Sequence, residues 1–289
     1  MIVEPAGRDE FLSLMAETYG KSMSPDEFDW WFDRNPAGPR ILNCARDDDG
    51  GTALGVLAMS AFRMSQGLAA FAVHAVTAPA ARGRGVFSTL ELENERVAAE
   101  AGAGWALGFT NPMAGPVLVG KLGWQDLTAL RIWARPKRLR RRGRGALRVA
   151  TVVEPFSERH AVSYGAHHVL RDPGYLTWRY AQSPRAYARL EDESGWAVVT
   201  HAVWHGFSSA VICDAVGGAS LLRAGVRAVD ADLAVAIVNP GEERTYLAAG
   251  FVPTPRTIRF IGKRLIPEAP ELPVRRDAWH FTLGDLDFF

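Results

Sequence analysis

Cysteine is nearly missing from this chain of 289 residues. Cys44 and Cys213 lie far apart without metal-ligand spacing, which argues against a disulfide framework or a zinc site and suits a reducing cytoplasm. No metal site is expected. Long apolar runs are also missing: none reaches the ~18 residues of a membrane span, and Met1 to Arg8 does not read as a signal peptide. Acidic residues are absent from Arg135 to Arg148, which holds eight Lys or Arg, so with a formal net charge of +1 the remaining chain is acidic. An acidic body favours cationic ligands such as amines. The basic stretch reads as a solvated linker, with docking on nucleic acid or an anionic surface the less favoured alternative. With 48% hydrophobic and 22% charged residues, the composition is that of a soluble globular protein long enough for two domains.

What is present is organised around Val76-Thr77-Ala78-Pro79-Ala80-Ala81-Arg82-Gly83-Arg84-Gly85-Val86-Phe87. A buried strand, Ala70 to Thr77, leads through two glycines into a helix marked by Val86, Leu90, Glu93 or Asn94, and Val97. Glycines there let backbone N–H groups approach an anion, and the helix adds its positive dipole end, so the turn reads as a pyrophosphate cradle. Arg140-Arg141-Arg142-Gly143-Arg144-Gly145 has the same spacing but leads into a β-branched run without helical period, which marks it as a decoy.

Earlier in the chain, Asp9 to Gly20 reads as an amphipathic helix, and Ser24-Pro25-Asp26-Glu27 as a capped helix start. Ile41 to Arg46 and Thr52 to Phe62 read as a hairpin. Beyond the cradle, Trp105 to Phe109 reads as a strand, Asn111-Pro112 as a helix start, Lys121-Leu122-Gly123-Trp124 as its end, and Leu127 to Ala134 as a closing strand.

With these motifs, residues 1 to 134 resemble the GNAT superfamily of acyl-CoA-dependent N-acetyltransferases. The family signature is strand, R/Q-x-x-G-x-G/A, helix, a splayed strand, Asn, and a helix closing on L-G-aromatic. Phe87 stands where the family usually has Gly or Ala. The stretch from Ala75 to Phe87 also resembles the enhanced intracellular survival branch, though without a counterpart of that branch's third domain.

Past the basic stretch the sequence repeats itself. Trp31 to Pro36 is echoed by Trp178 to Pro184, and Asn111-Pro112 with Gly123-Trp124 by Asn239-Pro240 with Gly250-Phe251. The expected fold is therefore α/β (α+β) with two GNAT-like halves, each a mostly antiparallel mixed sheet flanked by helices. An acyl-CoA-binding domain at 1–134 would be followed by a linker at 135–150 and a degenerate domain at 151–289. The second copy has Asp214 to Ser220 where a cradle would lie, so one cofactor site is expected.

The resemblance implies acetyl-CoA as acyl donor, transfer by direct attack to a primary amine of a small molecule or a protein, and no residue-level account of that acceptor. Backbone at Val76 and Thr77 would run along the pantetheine arm, Gly83 to Phe87 would hold the pyrophosphate, and Arg82 and Arg84 would meet the 3′-phosphate. Asn111 would act as a helix cap, a contact to coenzyme A, or both. The family commonly has a tyrosine four residues before the glycine of L-G-aromatic to protonate the departing thiolate. Here Val119 stands there, and Tyr246 holds the corresponding place in the second copy. His74, in the strand feeding the cradle, is a candidate base or a packed residue. In the enhanced intracellular survival proteins the terminal carboxylate enters the acceptor pocket, which makes Asp285, Asp287 and the Phe289 carboxylate further candidates. The alternative to an enzyme is a non-catalytic CoA-binding or protein-interaction module.

Overall fold

The computed structural model describes residues 1–20, 22–137, 146–147, 150–152 and 154–286. Expectations placed on Asp287, on the Phe289 carboxylate and on most of the basic stretch lie outside the described residues. The elements are β1 Ile2–Pro5, α1 Arg8–Tyr19, α2 Pro25–Phe28, β2 Ile41–Arg46, β3 Ala53–Met64, β4 Gly67–Thr77, α3 Val86–Glu100, β5 Trp105–Thr110 and α4 Gly115–Lys121. They continue with β6 Gln125–Pro136, β7 Ala146–Leu147, α5 Pro173–Leu176, β8 Ala188–Asp192, β9 Gly195–Trp204, β10 Phe207–Val216, α6 Ala219–Arg227, β11 Val229–Asp230, β12 Leu233–Ile237, α7 Glu243–Ala248 and β13 Val252–Arg264.

The chain divides into two compact units, Met1–Leu127 with Arg259–Val274, and Thr128–Ile258 with Arg275–Phe289. A single cut after residue 134 does not reproduce this division, because each unit borrows a strand. In unit 1, β1 to β4 form an antiparallel run, β5 joins β4 in parallel, and Arg259 to Arg264 of β13 pairs antiparallel with β5. In unit 2, β8, β9 and β10 are antiparallel, β12 joins β10 in parallel, and β6 pairs antiparallel with β12 from Ile132 to Pro136. β6 follows α4 in sequence, yet it closes the sheet of unit 2. β13 follows α7, yet its second half closes the sheet of unit 1. Each unit is thus a mixed, mostly antiparallel sheet flanked by helices, in the class the sequence implies.

In unit 1 the apolar stripe of α3, with Val86, Leu90 and Ala98, packs on Ile41, Leu57 and Met59 of the sheet. Gly55 of β3 seats the helix start: a Cβ there would stand 2.7 Å from Val86 Cγ1 and from the Val76 carbonyl. The core of unit 2 gathers Ile212, Leu222 and Val226 around Val199 and Phe251.

The repeat is visible in local structure. In unit 1, Glu27 N–H donates to Ser24 Oγ and Ser24 N–H donates to Glu27 Oε2, a capping box that starts α2 at Pro25. The chain then widens into a π turn, Asp29–Asp33, that buries Trp30, Trp31 and Phe32. In unit 2, Asp172 accepts from Tyr175 N–H, Pro173 opens α5, and Thr177–Ala181 forms the same π turn. Aligned on these turns, Trp30 corresponds to Trp178 and Pro36 to Pro184 without a gap. The sequence echo, which paired Trp31 with Trp178, moves by one residue.

Residues 259–274 contribute more than a strand to unit 1. Leu265 N–H donates to the Gly104 carbonyl, Trp105 Nε1 to the Pro270 carbonyl at 2.8 Å, and Phe260 packs its ring on Phe109. A fragment ending at residue 134 is expected to give no cooperative thermal unfolding by circular dichroism, because β5 would keep a bare edge and lose these partners. A sharp melt from that fragment would contradict the strand exchange.

Candidate functional site

β4 and β5 are parallel partners over only three positions, Ala69 with Trp105, Ala70 with Ala106 and Phe71 with Leu107. Beyond Phe71 each strand stays bonded to its other neighbour: β4 to β3 as far as Thr77, β5 to Arg259–Arg264 as far as Thr110. One cause is local. Val73 is an extra residue between Ala72, opposite Met59, and His74, opposite Ala58, and such a bulge bends its strand. The parting opens a cleft of about 200 Å³, walled by Ala72, His74 and Val76 on one side and by Gly108, Thr110 and Asn111 on the other. Phe87 and Glu91 of α3 complete the wall.

The glycine turn stands where β4 ends. Gly83 and Gly85 have φ of 78° and 81°, in the left-handed region, and a Cβ on either would meet no atom within 4 Å. Glycine is therefore needed for the backbone path and leaves open space before it. Gly85 is the N-cap of the fifteen-residue α3. Arg84 N–H is bonded to the Ala81 carbonyl and Thr89 N–H to the Gly85 carbonyl. Among the described residues none accepts from the N–H groups of Gly83, Gly85, Val86, Phe87 or Ser88. Unbonded amides at a helix start form an anion site. Arg82 and Arg84 are exposed beside it. Phe87, at the position usually small in the resembled family, is half-buried against the clusters around Leu90 and Leu118.

Asn111 closes the turn that leads into α4: its Oδ1 accepts from Met113 N–H at 2.9 Å and Ala114 N–H at 3.0 Å, and its carbonyl accepts from Gly115 N–H. It also lines the cleft. Val119 packs with Leu118 against Trp124 and Ile261, so α4 presents neither hydroxyl nor acid there. Among the described residues the titratable groups of the wall are Tyr19, His74 and Glu91. Tyr19 donates its hydroxyl to the Ala75 carbonyl. His74 has its ring edge-on to Phe11 and Phe32, with centroids 6.0 and 6.2 Å away.

Glu91 was not singled out from the sequence. It is fully buried, and neither carboxyl oxygen has a hydrogen-bond partner among the described residues. Its neighbours on the same buried face are satisfied: Asn94 donates to the Leu57 carbonyl and accepts from Asn43, while Glu95 accepts from Trp124 Nε1 and Lys263 Nζ. Burial, then the charge of Glu95, pushes the Glu91 carboxyl up to about 8, with Lys263 opposing.

Asp285 belongs to unit 2 and is committed there. Its Oδ2 accepts from Arg171 at 2.7 Å and from Thr282 N–H at 2.9 Å, all three residues being buried. Unit 2 repeats the parting of strands: β10 and β12 pair only from Ser209 to Val211, and Cys213 is the bulge residue. There the parted ends are joined by the chain itself. Thr282 Oγ1 donates to Asp214 at the end of β10, and Phe281 N–H donates to Asn239 after β12. The N–H of Gly218, which caps α6, is taken by Ser194 Oγ. A cavity of about 160 Å³ persists beside Val216 and the buried Tyr246.

Comparison with solved structures gives the class of fold. A GCN5-related N-acetyltransferase from Kribbella flavida matches with a TM-score of 0.59 and 13% identity over 91% of this chain and 72% of its own. Within that class, Eis1 from Mycobacterium abscessus matches at 0.55 and 14% identity over 92% and 74%. A Pyrococcus horikoshii protein provisionally assigned as an acetyltransferase matches at 0.59 and 11% identity over 99% and 94%. No protein-family profile and no curated protein matches the chain. The chain therefore has the fold of GNAT-type N-acetyltransferases, and its structural neighbours include the branch that its sequence resembles.

The unpartnered carboxyl has a consequence for stability. Below about pH 4.5 the folded and unfolded chains both hold this proton; between there and about pH 8 the folded chain holds it more tightly, so stability falls as pH rises and the loss is complete above about 8. Glu91→Gln, neutral throughout, should melt close to the parent at pH ~5 and clearly above it at pH ~8.5. Equal melting differences at both pH values would show that the carboxyl is already ionised in the folded chain.

Proposed function

We propose that unit 1 binds an acyl-CoA, with acetyl the simplest acyl group, and transfers the acyl group to a primary amine by direct attack. The observation that carries this reading is the parting of β4 and β5 beside a helix start whose amides have no protein partner. The amides of Gly83 and Gly85–Phe87 would hold the pyrophosphate, with Arg82 and Arg84 toward the 3′-phosphate. Backbone of β4 up to Val76 and Thr77, no longer paired with β5, would bond the pantetheine arm, with Asn111 facing it from just past the end of β5. The thioester supplies an activated acyl carbon; the protein's part is to align it, keep water away and move protons. His74, on the cleft wall, is the candidate to receive the proton of the acceptor amine. Asp285 has no part in this reading, because Arg171 holds it. A reducing cytoplasm suits a protein whose described cysteines are both unpaired. No helix among the described residues is long and apolar enough to cross a membrane.

The second reading, a CoA-binding module without turnover, is favoured by one observation, Val119 where a hydroxyl would serve the leaving sulfur. The two share the cradle and differ in catalysis. Calorimetry with acetyl-CoA should show one site, and the double change Gly83→Val with Gly85→Val should weaken it at least ~10-fold, because side chains in the left-handed region strain the turn. A melt of the double variant checks that the rest of unit 1 stays folded. Unchanged affinity would remove the cradle, and tight binding without acetylation of any amine in a broad panel would favour the second reading.

A further inference from the structure

We propose that Glu91 is the proton donor to the sulfur that leaves in acyl transfer. This rests on the reading of unit 1 as a transferase. Among the described residues Glu91 is the only acidic residue of the cleft wall, and neither of its oxygens, both shielded from solvent, is bonded to protein. A buried carboxyl left in this condition costs stability, whereas Asn94 and Glu95, one turn on, are fully paired. The residue with the unpaired carboxyl is thus the one that lines the cleft.

Competing donors are otherwise occupied or missing. The Tyr19 proton is bonded to the Ala75 carbonyl, the His74 ring is set against Phe11 and Phe32, and α4 offers Leu118 and Val119. The charged groups facing Glu91 are Glu95 from its own helix and Lys263 from β13, and Glu95 bonds Lys263 directly. That pairing leaves Glu91 without a cation of its own and keeps its proton on near neutral pH, the state a donor needs.

The step balances within the site. The carbon–nitrogen bond forms as the carbon–sulfur bond breaks, a proton passes from Glu91 to the sulfur to give the free thiol, His74 takes the proton released by the amine nitrogen, and that proton, passed on from His74, restores the carboxyl. No further reactant is needed. The device differs from a tyrosine on α4 in its pH response. A tyrosine hydroxyl stays protonated well past pH 8, whereas a carboxyl of this kind is spent near it.

The test compares the parent protein with Glu91→Gln, which keeps shape and removes the acid. The parent rate should rise with pH as the acceptor amine deprotonates and then fall through about pH 8; the variant should keep the rise, lack the fall, and turn over roughly 10²-fold more slowly. Calorimetry should give both proteins the same acetyl-CoA affinity within a few-fold. Infrared difference spectra give a readout without turnover: a protonated carboxyl band present in the parent, absent in the variant, and shifted when acetyl-CoA or the non-reacting coenzyme A is added. A band indifferent to both ligands, or a variant with parental rate and pH profile, overturns the proposal. A parent protein that binds no coenzyme A removes the transferase reading itself, a failure distinct from a variant that binds and reacts like its parent.

Discussion

Two parallel strands that stop pairing after three residues set the terms for the rest of unit 1. An unpaired strand edge inside a protein leaves N–H and C=O groups that must find other partners. The bulge at Val73 turns β4 aside while Arg259–Arg264 holds β5, so the gap cannot close by rejoining the ladder. Unit 2 shows the other solution to the same geometry. There the bulge is at Cys213 and the segment around Thr282 crosses the opening, with Gly284 so close that a Cβ would stand 2.9 Å from the Cys213 carbonyl. One backbone design thus makes an open cleft where the gap is left unfilled and a packed core where the chain fills it.

Corresponding positions in the two units carry the difference in chemistry. Aligned on the bulges and the π turns, His74 and Phe32 of unit 1 match Asp214 and Tyr180 of unit 2. The first pair meets as rings; in the second the Tyr180 hydroxyl donates to Asp214, which also accepts from Arg171 and Thr282. Burying that much charge is tolerable only because every member is paired. Unit 1 breaks this rule at Glu91. The breach stands beside satisfied neighbours on the same helix, and it is the observation from which the proposed role of Glu91 starts.

Much of unit 1 was legible in the sequence. Gly83, Gly85 and the helical period after Val86 located the glycine turn and α3, and the signals around Asn111 and Trp124 located β5 and α4, because each rests on local backbone chemistry. The strand exchange was not legible: β6 and β13 have the alternation of strands wherever they pair, and nothing local names the partner. Glu91 was missed for a related reason. It lies on the stripe shared by Phe87, Asn94 and Ala98, so the polar set on that face was there to be seen, but a glutamate beside apolar helix residues is ordinarily solvated.

Because Trp105 finds its Pro270 partner 165 residues later, synthesis of the polypeptide imposes an order on assembly. Residues 1–127 leave the ribosome with the edge of β5 open, and they wait while all of 128–258 is made before Arg259–Val274 can cap it. During that interval Trp105–Thr110 offers a naked ladder of apolar strand to any other nascent chain. The hazard scales with how long this edge stays bare, a kinetic quantity separate from how firmly the finished protein holds together.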